Sequence, residues 1–401
     1  MDLILHIGTE KSGSSSFQSW AALNRTALRD QGVFFSQALG ERNHLMPYVW
    51  ALGDFGRDDG FARLGLHSAQ DYAQFRDTLP RILADEVEQA RAAGCHSYVI
   101  SNEHLHSRMV TDDHLRRLHA LLSPHFARLR ILCVLRPQVD MGISLLSTAA
   151  RGHSPVTSAA LNNIRPANSY FNFETMNGRW STVFGPDTLT YLPYRRGPGL
   201  IAHVCDLVSV DATQFTQAPR ENTALDAHSF AIVNTLHHLQ PQVQQALRPY
   251  LNPVLEQLPM TLALRPSRAQ AEVVQARFSE LNDRLIQRRP DLQPDDLTPD
   301  WSRYPETSSL APLDVTAPHD AQLARTLQGL ACQAALSELR LWLARADCAE
   351  LQKRTHPFRQ ALAQARRARD RFLTLDGTLP QDLAEHLTAR LAQGDTADFQ
   401  A

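Results

Sequence analysis

His6-Ile7-Gly8-Thr9-Glu10-Lys11-Ser12-Gly13-Ser14-Ser15-Ser16-Phe17-Gln18 is the stretch from which the rest of the chain is best read. It grows out of a short apolar run, Leu3 to Ile7, suited to a buried strand. After the Gly/Ser-rich turn, Phe17, Trp20, Ala21, Leu23, Ala27 and Leu28 recur at helical spacing, which predicts a helix from Ser14 to Asp30. Lys11 stands out within the turn. Of the 40 lysines and arginines in the chain, only Lys11 and Lys353 are lysines. A compact ammonium with several donors is not replaced by a guanidinium where one oxygen atom must be gripped. Gly13 lets the backbone come close, and Ser14, Ser15 and Ser16 bring hydroxyls and unpaired first-turn amides. The helix N-terminus adds partial positive charge. Together they suit a phosphate or sulfate; a plain serine-capped helix start has the same look without a ligand.

Outward from this turn, apolar strands alternate with helices. Ser97–Ser101, Arg130–Leu135 and Thr188–Leu192 read as further strands. Asp71–Ala93, Asp113–Leu122, Val139–Ala150, Phe173–Phe184, Leu200–Val208 and Asp226–Leu239 read as helices. This alternation predicts an α/β domain on a central parallel sheet with helices over both faces, a three-layer arrangement. Beyond about residue 240 strand signals nearly vanish and helical periodicity takes over, in Ala269–Gln287, Asp320–Ala346 and Arg359–Leu373. A Pro/Asp-rich connection, Pro290 to Pro318, lies between them. The expected organisation is an α/β domain over 1–240 and a mainly helical extension over 241–401. Ala361 to Arg371 is arginine-rich, with no acidic residue before Asp370, and reads as a solvated helix face.

Composition narrows the function classes. The net charge of -2 over 401 residues provides no global basic field for nucleic acid. No run reaches the roughly 18 to 20 apolar residues of a membrane span, and the start of the chain shows no secretory signal. The five cysteines, Cys95, Cys133, Cys205, Cys332 and Cys348, form no CxxC pair. They read as reduced thiols of a cytoplasmic protein. The 17 histidines are dispersed, His237-His238 being adjacent rather than at ligand spacing, so no metal site is expected.

Gly8-x4-Gly13 differs from a nucleotide P-loop, which carries Lys directly after the second Gly and then Ser or Thr for magnesium. Lys11-Ser12-Gly13-Ser14-Ser15 instead resembles the Lys-x-Gly-[Ser/Thr]-[Ser/Thr] loop of sulfotransferases that use 3′-phosphoadenosine 5′-phosphosulfate (PAPS). His6 to Gln18 is especially similar to bacterial sulfotransferase-like proteins. The resemblance implies a P-loop-like fold, with Lys11, Ser12, Gly13, Ser14, Ser15 and Ser16 binding the 5′-phosphosulfate and Lys11 touching its bridging oxygen. The family's second element, an Arg ending a later strand and a Ser eight residues on, is matched by Arg136 and Ser144. It implies that these two hold the 3′-phosphate, for which a guanidinium fork is well shaped. Tyr170 to Phe173, Arg179-Trp180 and Arg195 resemble the segment that follows. Arg220-Glu221-Asn222 resembles a loop that closes over the nucleotide. The resemblance covers roughly residues 1 to 240. Glu10 departs from it, since its carboxylate would weaken anion binding unless turned away.

The implied activity is transfer of a sulfuryl group from PAPS, with no metal required, to a hydroxyl or amine of a carbohydrate, lipid or small metabolite. Glu103 or His104, just past the strand Ser97–Ser101, are the candidates for the base, Glu103 preferred. His6 reads as a packed core histidine. The C-terminal helices are candidates for capping the acceptor pocket or for a homo-oligomer contact. A P-loop-type kinase and a noncatalytic binding protein that keeps the fold are the alternatives.

Overall fold

The computed structural model describes residues 1–152, 156–194, 199–217, 225–236, 239–257, 260–313, 319–375 and 377–394. They divide into two compact units. The first comprises Met1–Leu145, Ala159–Thr223 and Pro266–Thr307, and the second Leu146–Ser158, Ala224–Arg265 and Ser308–Ala401.

The first unit is built on five parallel strands, β1 (Asp2–His6), β2 (Val33–Phe35), β3 (Ser97–Ser101), β4 (Arg128–Leu135) and β5 (Leu189–Pro193), in the order β2-β3-β1-β4-β5. β1 is central, with Ile4 opposite Val99 of β3 and Arg130 of β4. Leu3, Ile4 and Leu5 are at most 2% exposed, as a strand covered on both faces requires. On one face Ile4, Val99 and Leu132 pack against Phe17, Trp20 and Leu28 from the helices after β1, and against Val204, Val208 and Phe215. On the other, Tyr98 stacks on Phe34 at 5.5 Å and donates its hydroxyl to the buried Glu86 of the helix Ala69–Ala92. The two edges are blunted: β2 has three residues, and β5 ends on Pro193, which lacks a ladder N–H.

Three differences separate the observed elements from the expected ones. β2 carries too few residues to show a period. The helix expected over Ser14–Asp30 is two helices, Ser14–Leu23 and Arg25–Asp30. Between them Asn24 turns its amide onto the Trp20 carbonyl (2.8 Å) and pairs with both backbone groups of Thr216, at 2.9 Å each. A side chain that bonds backbone this way competes with the helix ladder. Ala269–Gln287 is likewise split, into Arg268–Ala276 and Ser279–Arg288.

The second unit is helical. Its long helices are Pro241–Gln257, His319–Leu351, Thr355–Thr374 and Gln381–Gly394. Ala346, Ala349, Phe358, Ala361 and Leu362 form a shared core, with Trp342 and Leu391 packed on it. The arginine-rich face is not wholly solvated: Arg371 donates to the Tyr250 hydroxyl (2.9 Å) and to Glu338 (2.6 Å). Among the described residues no helix is long and apolar enough to cross a membrane.

Candidate functional site

The sheet order sets where a site belongs. The connection leaving β1 runs to β2 on one side, and the connection leaving the neighbouring β4 runs to β5 on the other. Adjacent strands that part in this way leave a crevice at their carboxyl ends, the usual ligand position in open α/β sheets.

The turn after β1 lies there and is tied to β4. Ile7 donates to the Leu132 carbonyl (2.9 Å) and Val134 to that of Gly8 (2.5 Å). Thr9 donates to Val134 through both its amide (3.0 Å) and its hydroxyl (2.9 Å). Lys11 and Gly13 both adopt the left-handed region, with φ 64° and 98°; for a lysine this is a strained backbone, stored where the surrounding bonds enforce it. The hydroxyls of Ser12 and Ser14 turn inward onto the Thr9 carbonyl. The first ladder bond of the following helix runs from Phe17 to Gly13 (3.2 Å), and no side chain caps its start. The amides of Ser14, Ser15 and Ser16 therefore have no partner within the helix.

Arg136 follows β4 directly. Its Nη1 donates to the Lys11 carbonyl at 3.0 Å, and its guanidinium lies over the Tyr194 ring, 4.9 Å from the centroid. The structure thus brings the two cationic residues singled out in the sequence to one place. Beside them Ser12, Val134, Pro193, Tyr194, Leu200 and His203 line a cavity of about 100 Å3. Ser144 is half-buried in the helix Gln138–Arg151, six residues and about 9 Å along the axis from its first residue. Arg195, Arg220, Glu221, Asn222 and His237-His238 lie outside the described residues.

Glu103 follows β3 by two residues, at the start of the short helix His104–Arg108. A Cβ placed on Gly8 would sit 3.1 Å from the Glu10 amide nitrogen and 3.2 Å from Glu103 Cα, so the loop and Glu103 meet at this glycine. The Glu103 carboxylate accepts from Gln18 Nε2 (2.7 Å) and Asn43 Nδ2 (3.2 Å). Gln18 also donates to the Ser101 hydroxyl (3.3 Å), which meets His6 Nδ1 at 2.8 Å. His6 is fully buried, and burial lowers its pKa to about 3, so it is neutral. Asn43 is delivered by a turn anchored on Glu86, which accepts from Ser36 (2.6 Å), Gln37 and Ala38 (2.8 Å each).

His104 is differently placed. Arg63 donates to its Nε2 at 3.1 Å, leaving the proton on Nδ1, which faces Glu10 Oε1 at 3.6 Å. Its accepting nitrogen is already taken. Glu10 is turned toward the short helix His104–Arg108. Burial works against its charge, but the side chains of His104, Ser107 and His106 outweigh this and hold its pKa at about 2.

Sequence reasoning missed Gln18 as Glu103's partner, and missed Asn43 and Tyr194. Gln18 had a signal, a polar side chain on the same helical face as Phe17 and Ala21. Asn43 and Tyr194 had none, because only the tertiary fold carries them to the site. A larger cavity, about 270 Å3, lies within residues 266–307. Its buried amides, Gln275 and Asn282, are satisfied by Gln138 at 2.7 to 3.2 Å, so it is a seam of the fold. Among the described residues no group of three or more His, Cys, Asp or Glu side chains is arranged to hold a metal ion.

No protein-family model matches the chain, nor does any curated protein sequence. Among solved structures, the crystal structure of a sulfotransferase from Alicyclobacillus acidocaldarius is similar at 12% identity and a TM-score of 0.34, over 68% of this chain and 95% of that one.

Proposed function

We propose that this protein is a sulfotransferase, moving a sulfuryl group from PAPS to a hydroxyl or amine of a carbohydrate, lipid or small-metabolite acceptor. One observation carries the reading: Lys11 and Arg136 meet at the carboxyl ends of β1 and β4, with Glu103 beside the same loop. In this reading the sheet is P-loop-like and the turn Lys11–Ser16 cradles the 5′-phosphosulfate. The amides of Ser14, Ser15 and Ser16 are the donors best suited to its oxygens, because the Ser12 and Ser14 hydroxyls face Thr9. Arg136, with Ser144, takes the 3′-phosphate, and the cavity beside Tyr194 receives part of the nucleoside.

Transfer is in line. The acceptor oxygen forms a bond to sulfur as the bond from sulfur to the bridging phosphate oxygen breaks. That oxygen keeps the electron pair and leaves on 3′-phosphoadenosine 5′-phosphate (PAP). Lys11 neutralises the charge growing there, and the acceptor's proton passes to Glu103. Positioning and electrostatics supply the catalysis, as in phosphoryl transfer. Glu103 is the better base because its carboxylate is held by two neutral amides, whereas the free nitrogen of His104 is capped by Arg63.

The test is a transfer assay with [35S]PAPS on the wild type, Lys11→Ala and Glu103→Gln. Both variants should lose transfer, and only Lys11→Ala should also lose PAP affinity. Turnover unchanged in both removes the mechanism. A noncatalytic protein that keeps the fold is the second reading, favoured by the inward Ser12 and Ser14 hydroxyls; absence of PAP binding supports it.

A further inference from the structure

A helix packed on a core normally turns a charged or polar face to water. The helix His319–Leu351 does not. Its inner face is apolar as expected: Ala331, Ala335, Leu339 and Ala346 are buried, the last in the core shared with Phe358. Its outer face is uncharged as well. Leu330, Leu341 and Leu351 stand on it, 64%, 51% and 84% exposed. Between them lie the half-buried Ala334 and the exposed Ser337, Ala344 and Cys348. From Leu330 to Leu351 these positions follow one another at alternating intervals of four and three residues. That is the spacing of a coiled-coil seam. At 1.5 Å per residue the seam is about 32 Å long.

Charges flank the seam in a definite order. One margin carries Arg340 and then Asp347; the other carries Glu338 and then Arg345. Such margins set the orientation and register of a partner helix. A parallel second copy would set Arg340 against the partner's Arg345. An antiparallel copy, with its two-fold axis level with the peptide between residues 342 and 343, sets Arg340 against the partner's Asp347 and Glu338 against the partner's Arg345. Moving that copy by one heptad one way places Arg340 against the partner's Arg340 and Glu338 against the partner's Glu338. Moving it the other way does the same for Asp347 and Arg345. Of these arrangements only one pairs opposite charges on both margins. In that register Leu341 meets the partner's Ala344, Leu351 the partner's Ala334 and Ser337 the partner's Cys348. Large side chains then face small ones, and the helices can approach closely.

The margin groups are already positioned. Asp347 accepts from His386 (3.1 Å) and Arg390 (2.7 Å) through Oδ1, and Glu338 from Tyr250 (2.7 Å) and Arg371 (2.6 Å) through Oε2. Both carboxylates keep about a third of their surface in solvent, 31% and 27%. Arg340 and Arg345 are exposed, the latter lying over the Trp342 ring at 4.5 Å. We infer that this face docks a second copy of the chain, antiparallel and in the register just described. The dimer is independent of the sulfuryl-transfer reading.

Sedimentation velocity on the full chain tests the surface. One helix pair lies at the small end of stable interfaces, so the concentration series should reach about 100 μM. The wild type should pass from the mass of one chain to that of two. Leu341→Glu should stay at one chain throughout, with an unchanged circular dichroism spectrum because the side chain is exposed. Arg340→Glu sets a carboxylate against the partner's Asp347 and should weaken the dimer at least about tenfold. Leu373→Glu, an exposed leucine of the following helix outside the seam, should leave it intact. Diamide oxidation reads the register. Ser337→Cys should give a disulfide-linked dimer through the partner's Cys348, lost when Cys348→Ser is added, and the wild type should give none. A wild type of one-chain mass at every concentration overturns the inference and leaves the face to a different protein. A dimer that Leu341→Glu does not disturb also overturns it, as does wild-type cross-linking through Cys348, which marks parallel pairing.

Discussion

Arg136 donates through Nη1 to the main-chain carbonyl of Lys11 at 3.0 Å, joining the residue that ends β4 to the turn that follows β1. The bond does two things at once. It holds Lys11 in its left-handed conformation, φ 64°, and it fixes the guanidinium over Tyr194 at the mouth of the cavity beside Ser12. The two cations are therefore not independent, and a change at one reaches the other.

Replacing Arg136 by Ala should reduce PAP affinity by at least tenfold, since a hydrogen bond to a charged group contributes about 1.5–3 kcal/mol. The discrimination of PAP from AMP, which lacks the 3′-phosphate, should disappear in the variant. Calorimetric titration of both nucleotides checks this, and an unchanged PAP/AMP ratio contradicts the assignment.

In the proposed mechanism Gln18, which donates to the Glu103 carboxylate, acts as a positioning residue. Gln18→Leu removes the 2.7 Å bond while keeping an apolar-compatible volume in a helix face that is already buried. The expected outcome is a kcat lowered about tenfold or more with PAP affinity unchanged, partly restored in Gln18→Asn. Equal loss of kcat and PAP affinity would mean that Gln18 acts through the fold of the loop.

Stability should fall steeply with acid. Burial lowers His6 and His44 from 6.5 to about 3 and His106 to about 4. The unfolded chain takes up protons on these histidines near pH 6.5, before the folded chain does. Their contribution is therefore whole above pH 6.5 and is lost as pH drops toward 4 and 3. Each adds a slope of up to about 1.4 kcal/mol per pH unit. Glu10 acts in the same direction lower down: held at about 2 against an ordinary 4.5, it contributes fully above 4.5 and nothing below 2. Thermal unfolding midpoints should drop from pH 6.5 to 4, with a shallower slope in His44→Gln. A flat profile over that range contradicts the burial of neutral histidines.

Gly8→Ala should abolish transfer and destabilise the fold. The residue has φ 104°, and the new Cβ would press on the Glu10 amide and on Glu103 at 3.1 to 3.3 Å. Backbone strain of this kind costs about 1–3 kcal/mol. Gly94→Ala, at φ 76° with open space around it, isolates strain from collision. Gly8→Ala should lower the melting temperature further than Gly94→Ala, and only Gly8→Ala should silence transfer.

Much of this was legible from local patterns. The apolar runs at Leu3, Tyr98 and Ile131 and the helical periods between them specify a parallel α/β sheet, and Ser97–Ser101 and Phe173–Phe184 are strand and helix as read. A three-residue strand such as Val33–Phe35 has no measurable period. The break at Asn24 depends on Thr216, 192 residues away in the chain. At the site, Lys11 and Arg136 each sit directly beyond a strand, where residue type and position point the same way. The contacts that orient Glu103 and Glu10 come from Asn43, Gln18, His104 and Ser107, which only the packing of separate turns brings together.

Isothermal titration of the wild-type protein with PAP, with and without magnesium, tests the central claim most directly. The account predicts saturable binding at one site, independent of magnesium and weakened at least tenfold in Lys11→Ala. Absence of binding, or binding that requires magnesium and ignores Lys11, contradicts it.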